Sequence, residues 1–232
     1  MEWTNTIMTS LEWGKTISNR EEKEKVADMI ASKVKDGEII GAGSGSTAYL
    51  AILKIAERIK EENLHIRIIP TSQEIKMTCA HLNIPVTSLW EYRPDWTFDG
   101  ADEIDNDFNM IKGRGGAMFK EKLLINASPR TYIIADASKR VSKLGVKFPV
   151  PVEVFPETLT YVDHVLRSYN PKEIKIRMAD KKDGPVITEN GNLILDVWFN
   201  NIPTNLEKSI KSITGVIESG LFMHYNVTIL QP

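Results

Sequence analysis

Cys79 is the only cysteine in this 232-residue chain. A lone thiol allows no intramolecular disulfide and no cysteine-based zinc site, and it fits a reducing compartment, so a cytoplasmic location is expected. Neither charge dominates: 29 Lys and Arg stand against 31 Asp and Glu, for a net charge of −2. Such a balance offers no broad basic field to nucleic acid or to an anionic membrane, and neither partner is expected. No apolar run approaches the roughly 18 residues of a membrane span. The opening MEWTNTIMTSLEWGK lacks a charged region followed by an apolar core. No secretory signal is therefore expected, and residues 1–18 read as an extension before the first helix, with Trp3 and Trp13 as its ordering side chains. The histidines His65, His81, His164 and His224 are dispersed, which leaves Ser-His-Asp and Cys-His nucleophilic schemes without a constellation.

What is present is ordinary for a globular protein: 42% hydrophobic and 26% charged residues, in a length that suits one large domain or two small ones. Asn19 is placed to cap a helix, with Glu22 completing a capping box, and Val26, Met29, Ile30 and Val34 recur at helical spacing up to Gly37. EIIGAG then reads as a short buried strand entering a glycine turn. A helix over 47–63, the strand IRIIP, a helix over 75–82, the strand DWTF, a helix over 118–127 and the strand TYIIA follow. Strands alternating with helices predict an α/β domain with a mostly parallel sheet. The pattern changes after about Gly145. VEVFP, a helix over 157–169, EIKIRMA, NLILDVWF, a helix over 205–213 and GVIESGLF give the order βαββαβ, the ferredoxin-like unit. The final NVTIL reads as a strand returning to the first sheet. The expected domains are therefore 1–145, joined again by 224–232, and an inserted domain over 146–223, with Pro149, Pro151 and Pro156 stiffening the boundary.

Three turns follow predicted parallel strands, the places where open α/β sheets bind ligands. GAGSGST carries Ser44, Gly45, Ser46 and Thr47 at the start of a helix. It reads either as a phosphate cradle or as a tight strand–helix turn with capping hydroxyls. It is not a nucleotide P-loop, because no lysine follows its last glycine. In DGADEID, Asp99 and Asp102 flank Gly100 and Ala101 directly after an apolar strand and suit a divalent metal or general acid–base work. Glu103, Asp105 and Asp107 read as solvated charges. In KGRGGAMFKEK, Lys112 precedes Gly113, Arg114 and Gly115, and Glu121 lies on the next helix. The lysine can meet phosphate or a developing oxyanion. Glu121 reads most simply as half of an exposed helix ion pair with Lys120 or Lys122; the other reading is a glutamate among apolar neighbours that shuttles a proton.

The ordered series GAGSGST, TSQE…NIPV, DGADEID, NMIKGRGGAMFKEK, ADASKRVSKLG, PVEVFP, NGNLILD and GVIESGLF resembles the A-type ribose-5-phosphate isomerases, from about Arg20 to the C-terminus. Each segment is weak alone; their order and spacing together are specific. The resemblance implies a Rossmann-like, mostly parallel sheet domain with a smaller inserted ferredoxin-like α+β domain. It implies aldose–ketose isomerisation of a pentose phosphate, a step of the non-oxidative pentose phosphate pathway, with no metal and no cofactor, in a homodimer or homotetramer. By the same resemblance, Glu121 is the catalytic base, with Lys112, Asp99 and Asp102 also catalytic. Substrate contacts fall to Ser44, Gly45, Ser46, Thr47, Asp99, Gly100, Ala101, Asp102, Lys112, Gly113, Arg114, Gly115 and Lys139. The family also has a lysine on its first helix, near Lys23. Ile75, Ala137 and Arg114 depart from the family's usual hydroxyl residue, Glu and Gly. An amino-sugar-phosphate isomerase is disfavoured because no histidine lies in the three turns. A sugar-phosphate-sensing regulator is disfavoured because the N-terminal extension shows no basic helix-turn-helix.

Overall fold

A computed structural model of the chain describes residue 13 and residues 16–232. In chain order these residues form α1 (Arg20–Ala31), β1 (Ile39–Ala42), α2 (Ser46–Glu62), β2 (Arg67–Pro70), α3 (Gln73–His81), β3 (Trp96–Asp99), β4 (Glu103–Ile104), β5 (Met110–Ile111), α4 (Met118–Ala127), β6 (Thr131–Ile134), β7 (Val150–Val154), α5 (Leu159–Arg167), β8 (Pro171–Ile176), β9 (Leu193–Phe199), α6 (Leu206–Lys211), β10 (Val216–Ser219), β11 (Leu221–Phe222) and β12 (Thr228–Leu230). They divide into two compact units. The first is Met1–Gly100, Leu123–Ser138 and Asn226–Pro232; the second is Ala101–Lys122 and Lys139–Tyr225. Residues 101–122 and 139–145, expected with the parallel sheet, therefore group with the second unit.

The first unit is built on a five-stranded sheet in the order β12-β6-β3-β1-β2, and every pairing is parallel. The chain's last strand returns to this sheet beside β6. Ile40, Ile68 and Phe98 are fully buried, as are Val26, Ala27 and Ile30 of α1 and Ile52 and Ile55 of α2. Each such valine, isoleucine or phenylalanine side chain stabilises the fold by about 1.5–3 kcal/mol. Gly41 on β1 has to be glycine: a Cβ there would lie 2.8 Å from Leu124 Cδ2 of α4 and inside the Thr97 hydroxyl. Because β1 lies between β2 and β3, the winding direction reverses there, and the loops after β1 and β3 meet at the switch point. The predicted capping box is not formed. Asn19 sits in the left-handed region (φ 50°) with no side-chain cap, and its amide donates to Asp136 Oδ1 at 3.3 Å instead. α1 also stops at Ala31, with Gly37 (φ 81°) in the turn beyond it. Burial pushes the Cys79 thiol up to about 12. Trp13 packs on Tyr49 at 4.9 Å between ring centroids, while Trp3 lies outside the described residues.

The second unit contains a four-stranded antiparallel sheet in the order β10-β7-β9-β8, with α5 between β7 and β8 and α6 between β9 and β10. This is the ferredoxin-like order. Val162 and Leu166 of α5 and Leu206 and Ile210 of α6 bury their apolar faces with Val152, Val154 and Val197. GVIESGLF is not one strand. It breaks at Gly220: β10 stays in the antiparallel sheet, and β11 pairs with β5 in a separate three-stranded sheet, β11-β5-β4. Gly220 donates to Pro151 O at 2.7 Å and accepts from Lys112 N at 2.9 Å, and a Cβ there would overlap the Lys112 carbonyl.

Candidate active site

In the first unit the site residues stand on the loops after β1 and β3. Gly43 N donates to Phe98 O at 2.8 Å, locking one loop to the other strand. A Cβ on Gly43 would fall within the Asp99 carboxyl group, so glycine is what lets the loop approach. Asp99 is 1% exposed, and its Oδ1 accepts the amides of Ser44 (3.2 Å) and Gly100 (2.7 Å). The Ser44 hydroxyl is 2.7 Å from Thr71 Oγ1, a buried hydroxyl at the end of β2 that sequence reasoning missed. α2 opens at Ser46 with Gly45 (φ 96°) as its N-cap and no side-chain cap. Lys23, only 4% exposed, reaches from α1 to place its ammonium 3.2 Å from Ser46 Oγ. An uncapped helix N-terminus with hydroxyls and an ammonium is the composition of an anion cradle.

In the second unit β5 leads into Lys112 and the glycine loop. Lys112 Nζ lies 3.2 Å from Glu121 Oε2, and the two side chains are 3% and 6% exposed. The exposed ion pair expected for Glu121 is thus corrected. Lys120 turns instead to Glu189 (2.7 Å), and Lys122 to Glu207 (2.6 Å) and Glu218 (2.9 Å). The helical step of 100° per residue sends three consecutive charges in three directions. Asp102 Oδ2 accepts the Arg114 amide at 3.1 Å, and Gly113 takes a left-handed φ of 93°. The Arg114 side chain is exposed. The loop's outer carbonyls are held by a residue that no motif announced: Arg177 donates to Gly113 O and Arg114 O, both at 2.9 Å, while it also pairs with Asp196. Lys139, half-buried, stacks its ammonium 5.8 Å from the Phe148 ring centre. Glu103, expected in solvent, is fully buried and accepts the amides of Gly145 (2.7 Å), Lys147 (2.5 Å) and Phe148 (2.8 Å). The polar positions of its two-residue strand gave no sign of this. Among the described residues no cluster of three or more His, Cys, Asp or Glu side chains is placed to hold a metal ion. Nor is any helix among them long and apolar enough to cross a membrane.

Taken unit by unit, the second offers a buried lysine–carboxylate pair beside a glycine loop, the chemistry of proton transfer, and the first offers hydroxyls and an ammonium at an uncapped helix start, the chemistry of anion binding. Residues 67–231 match the family described as Ribose 5-phosphate isomerase A (phosphoriboisomerase A). The chain is similar to the ribose-5-phosphate isomerase A of Methanocaldococcus jannaschii, 45% identical over 208 residues that cover 89% of this chain and 92% of the relative. Its similarity to that of Synechococcus sp. is 43% over 205 residues, covering 87% of this chain and 88% of the relative. The solved Methanocaldococcus jannaschii enzyme superposes with a TM-score of 0.87 at 45% identity, over 90% of this chain and 93% of that one. A D-ribose-5-phosphate isomerase solved in complex with phospho-erythronic acid superposes with a TM-score of 0.86 at 36% identity, over 90% of this chain and 93% of that one. The chain belongs to the ribose-5-phosphate isomerase A family, and its activity is that of an isomerase.

Proposed function

We propose that the chain interconverts D-ribose 5-phosphate and D-ribulose 5-phosphate through a cis-enediolate, and that Glu121 is the base. The observation that carries this reading is the buried 3.2 Å pairing of Glu121 with Lys112, which puts a proton acceptor beside an ammonium in a water-poor setting. Glu121 takes the proton from C2 of the open-chain aldose. The C–H electrons form the C1=C2 bond, and the carbonyl oxygen on C1 becomes an enediolate oxygen stabilised by Lys112. Glu121 then gives the proton to C1, and the C2 hydroxyl becomes the ketone. One carboxylate serves both carbons because they are neighbours. Asp99 or Asp102 moves the hydroxyl protons and assists ring opening. Ser44, Ser46, Thr47, the first amides of α2 and Lys23 hold the phosphate, a role supported by the uncapped helix start and by the ammonium 3.2 Å from Ser46 Oγ. The loops at Gly100, Ala101, Gly113, Arg114 and Gly115, with Lys139, complete the substrate contacts.

The test is a coupled assay with ribose 5-phosphate against other phosphosugars, run with a chelator present. Selective turnover of ribose 5-phosphate is expected; equal turnover of an amino-sugar phosphate, or none of any, would sink the reading. By the same family likeness we infer a homodimer or homotetramer in the cytoplasm. Light scattering on the eluted protein checks the assembly, and a monomeric mass would refute it.

A further inference from the structure

We propose that Phe222 is a positioning residue for the Lys112–Glu121 pair, an inference that rests on the isomerase reading above. Phe222 is fully buried on β11. Two ammonium groups approach its ring: Lys112 Nζ lies 5.5 Å from the ring centre, and Lys122 Nζ lies 4.7 Å from it. The face of an aromatic ring carries partial negative charge and attracts a cation at these distances, more strongly where water is excluded. Lys112 and Lys122 are 2% and 5% exposed, so water screens neither. The ring is therefore an element that steadies the Lys112 ammonium without neutralising it. A carboxylate in that place would compete with Glu121 for the lysine and with the enediolate for its charge.

The strand that presents the ring is itself fixed. Lys122 donates to Ser219 O at 3.0 Å and Leu221 O at 2.7 Å, on either side of Gly220, and also meets Glu207 and Glu218. Gly220 O in turn accepts the Lys112 amide at 2.9 Å, and Phe222 lies opposite Met110 in the β11–β5 pairing. Lys112 is thus held twice by the same short segment, at its backbone through Gly220 and at its ammonium through the Phe222 ring. The lysine that braces this strand follows the proposed base by one residue in α4. A shift of the Lys112 ammonium by a fraction of an ångström changes where positive charge meets the developing oxyanion, which acts on the chemical step more than on substrate capture.

The decisive experiment replaces Phe222 with mono-, di- and trifluorinated phenylalanines. These nearly keep the shape of the ring while draining charge from its face. Turnover of ribose 5-phosphate is expected to fall stepwise with each fluorine, by about tenfold across the series, with KM within about twofold and the melting temperature nearly unchanged. Phe222→Leu is expected to lose at least about tenfold in kcat with a similarly small change in KM. The inference is overturned if kcat shows no trend with fluorination, if the trend appears only in KM, or if folded Phe222→Leu stays within twofold of the parent. If Phe222→Leu does not fold, the fluorinated series decides alone. An unmodified enzyme inactive on ribose 5-phosphate would refute the isomerase reading itself; an active one insensitive to fluorination would refute only the role of Phe222.

Discussion

Lys112 and Glu121 face each other at 3.2 Å, nine residues apart in sequence and with hardly any exposed surface between them. A surface pair of this kind contributes little, but a buried one is costly to break, because each partner leaves the other as an uncompensated charge.

Glu121→Gln is therefore predicted to separate catalysis from binding. The amide keeps the shape and an acceptor for Lys112 but cannot take a proton. We expect kcat to fall by about 10³-fold, within the range typical of a general base, while binding of ribose 5-phosphate to the inactive variant, read by calorimetry, persists. Proton exchange at C2 in deuterated water should vanish together with turnover. Near-normal activity in this variant would remove Glu121 from the mechanism.

Lys112→Met tests the other half of the pair. The stem is kept and the ammonium lost, so a decrease of about 10²–10³-fold in kcat is expected. Added to Glu121→Gln, it should cost little more activity, since the two groups act as a unit. Additive losses measured in the double variant would mean that the two side chains act independently.

Gly43→Ala probes the first unit. A methyl group has no room beside the Asp99 carboxyl, so the loop has to move by the width of that group. We expect a loss of about 1–3 kcal/mol in stability and a raised KM, read from urea unfolding and steady-state kinetics. Unchanged values on both would show that the contact between the two loops is not needed.

Glu103→Gln addresses a carboxylate that looked solvated and is not. Its two oxygens accept three backbone amides, at 2.5 to 2.8 Å. The glutamine keeps one oxygen and turns an NH2 group toward an N–H donor. A loss of about 2–5 kcal/mol is expected in urea unfolding, because hydrogen bonds to a buried charge are replaced by a donor–donor conflict. A loss below 0.5 kcal/mol would show that the three amides have other partners within reach.

Cys79 gives a prediction in pH. Its thiol rises from an ordinary 9.0 to about 12 because burial disfavours the thiolate. A group raised on folding supports the fold fully below its unfolded value, and that support is lost as pH rises toward the folded one. Stability should therefore fall from pH 9 to 12, and less steeply in Cys79→Ala. At pH 8 a disulfide reagent should leave Cys79 untouched in the native chain and label it in urea. Rapid labelling without denaturant would contradict the burial.

The elements whose burial repeats along the chain were legible in the sequence. β1, β2, β3 and β6 are short, mostly apolar runs, and they and the helix over Met118–Ala127 fall where the alternation of strands and helices places them. Short elements defined by partners far along the chain were not. β4 and β5 are two residues each, beside a run of acidic side chains; they pair with each other, and β11 joins β5 from residues 221 and 222. Glu121 is the sharpest case in the site. Local spacing favours Lys120 or Lys122 as its partner, and nothing local says that Glu189, Glu207 and Glu218 claim those lysines first. The motif series carried that information; the helix did not.

The same three side chains fix something that spacing alone leaves free: the register of α4. Slide the helix by one residue in either direction and a lysine replaces Glu121 beside Lys112, ammonium against ammonium, while Glu121 turns toward Glu189 or toward Glu207 and Glu218. Either displacement sets two ammonium groups together at Lys112, where little water screens them. The alternation lysine, glutamate, lysine thus works as a key that only one rotation of the helix can turn, so the chain finds the alignment of its proposed base while it folds, before any substrate is present.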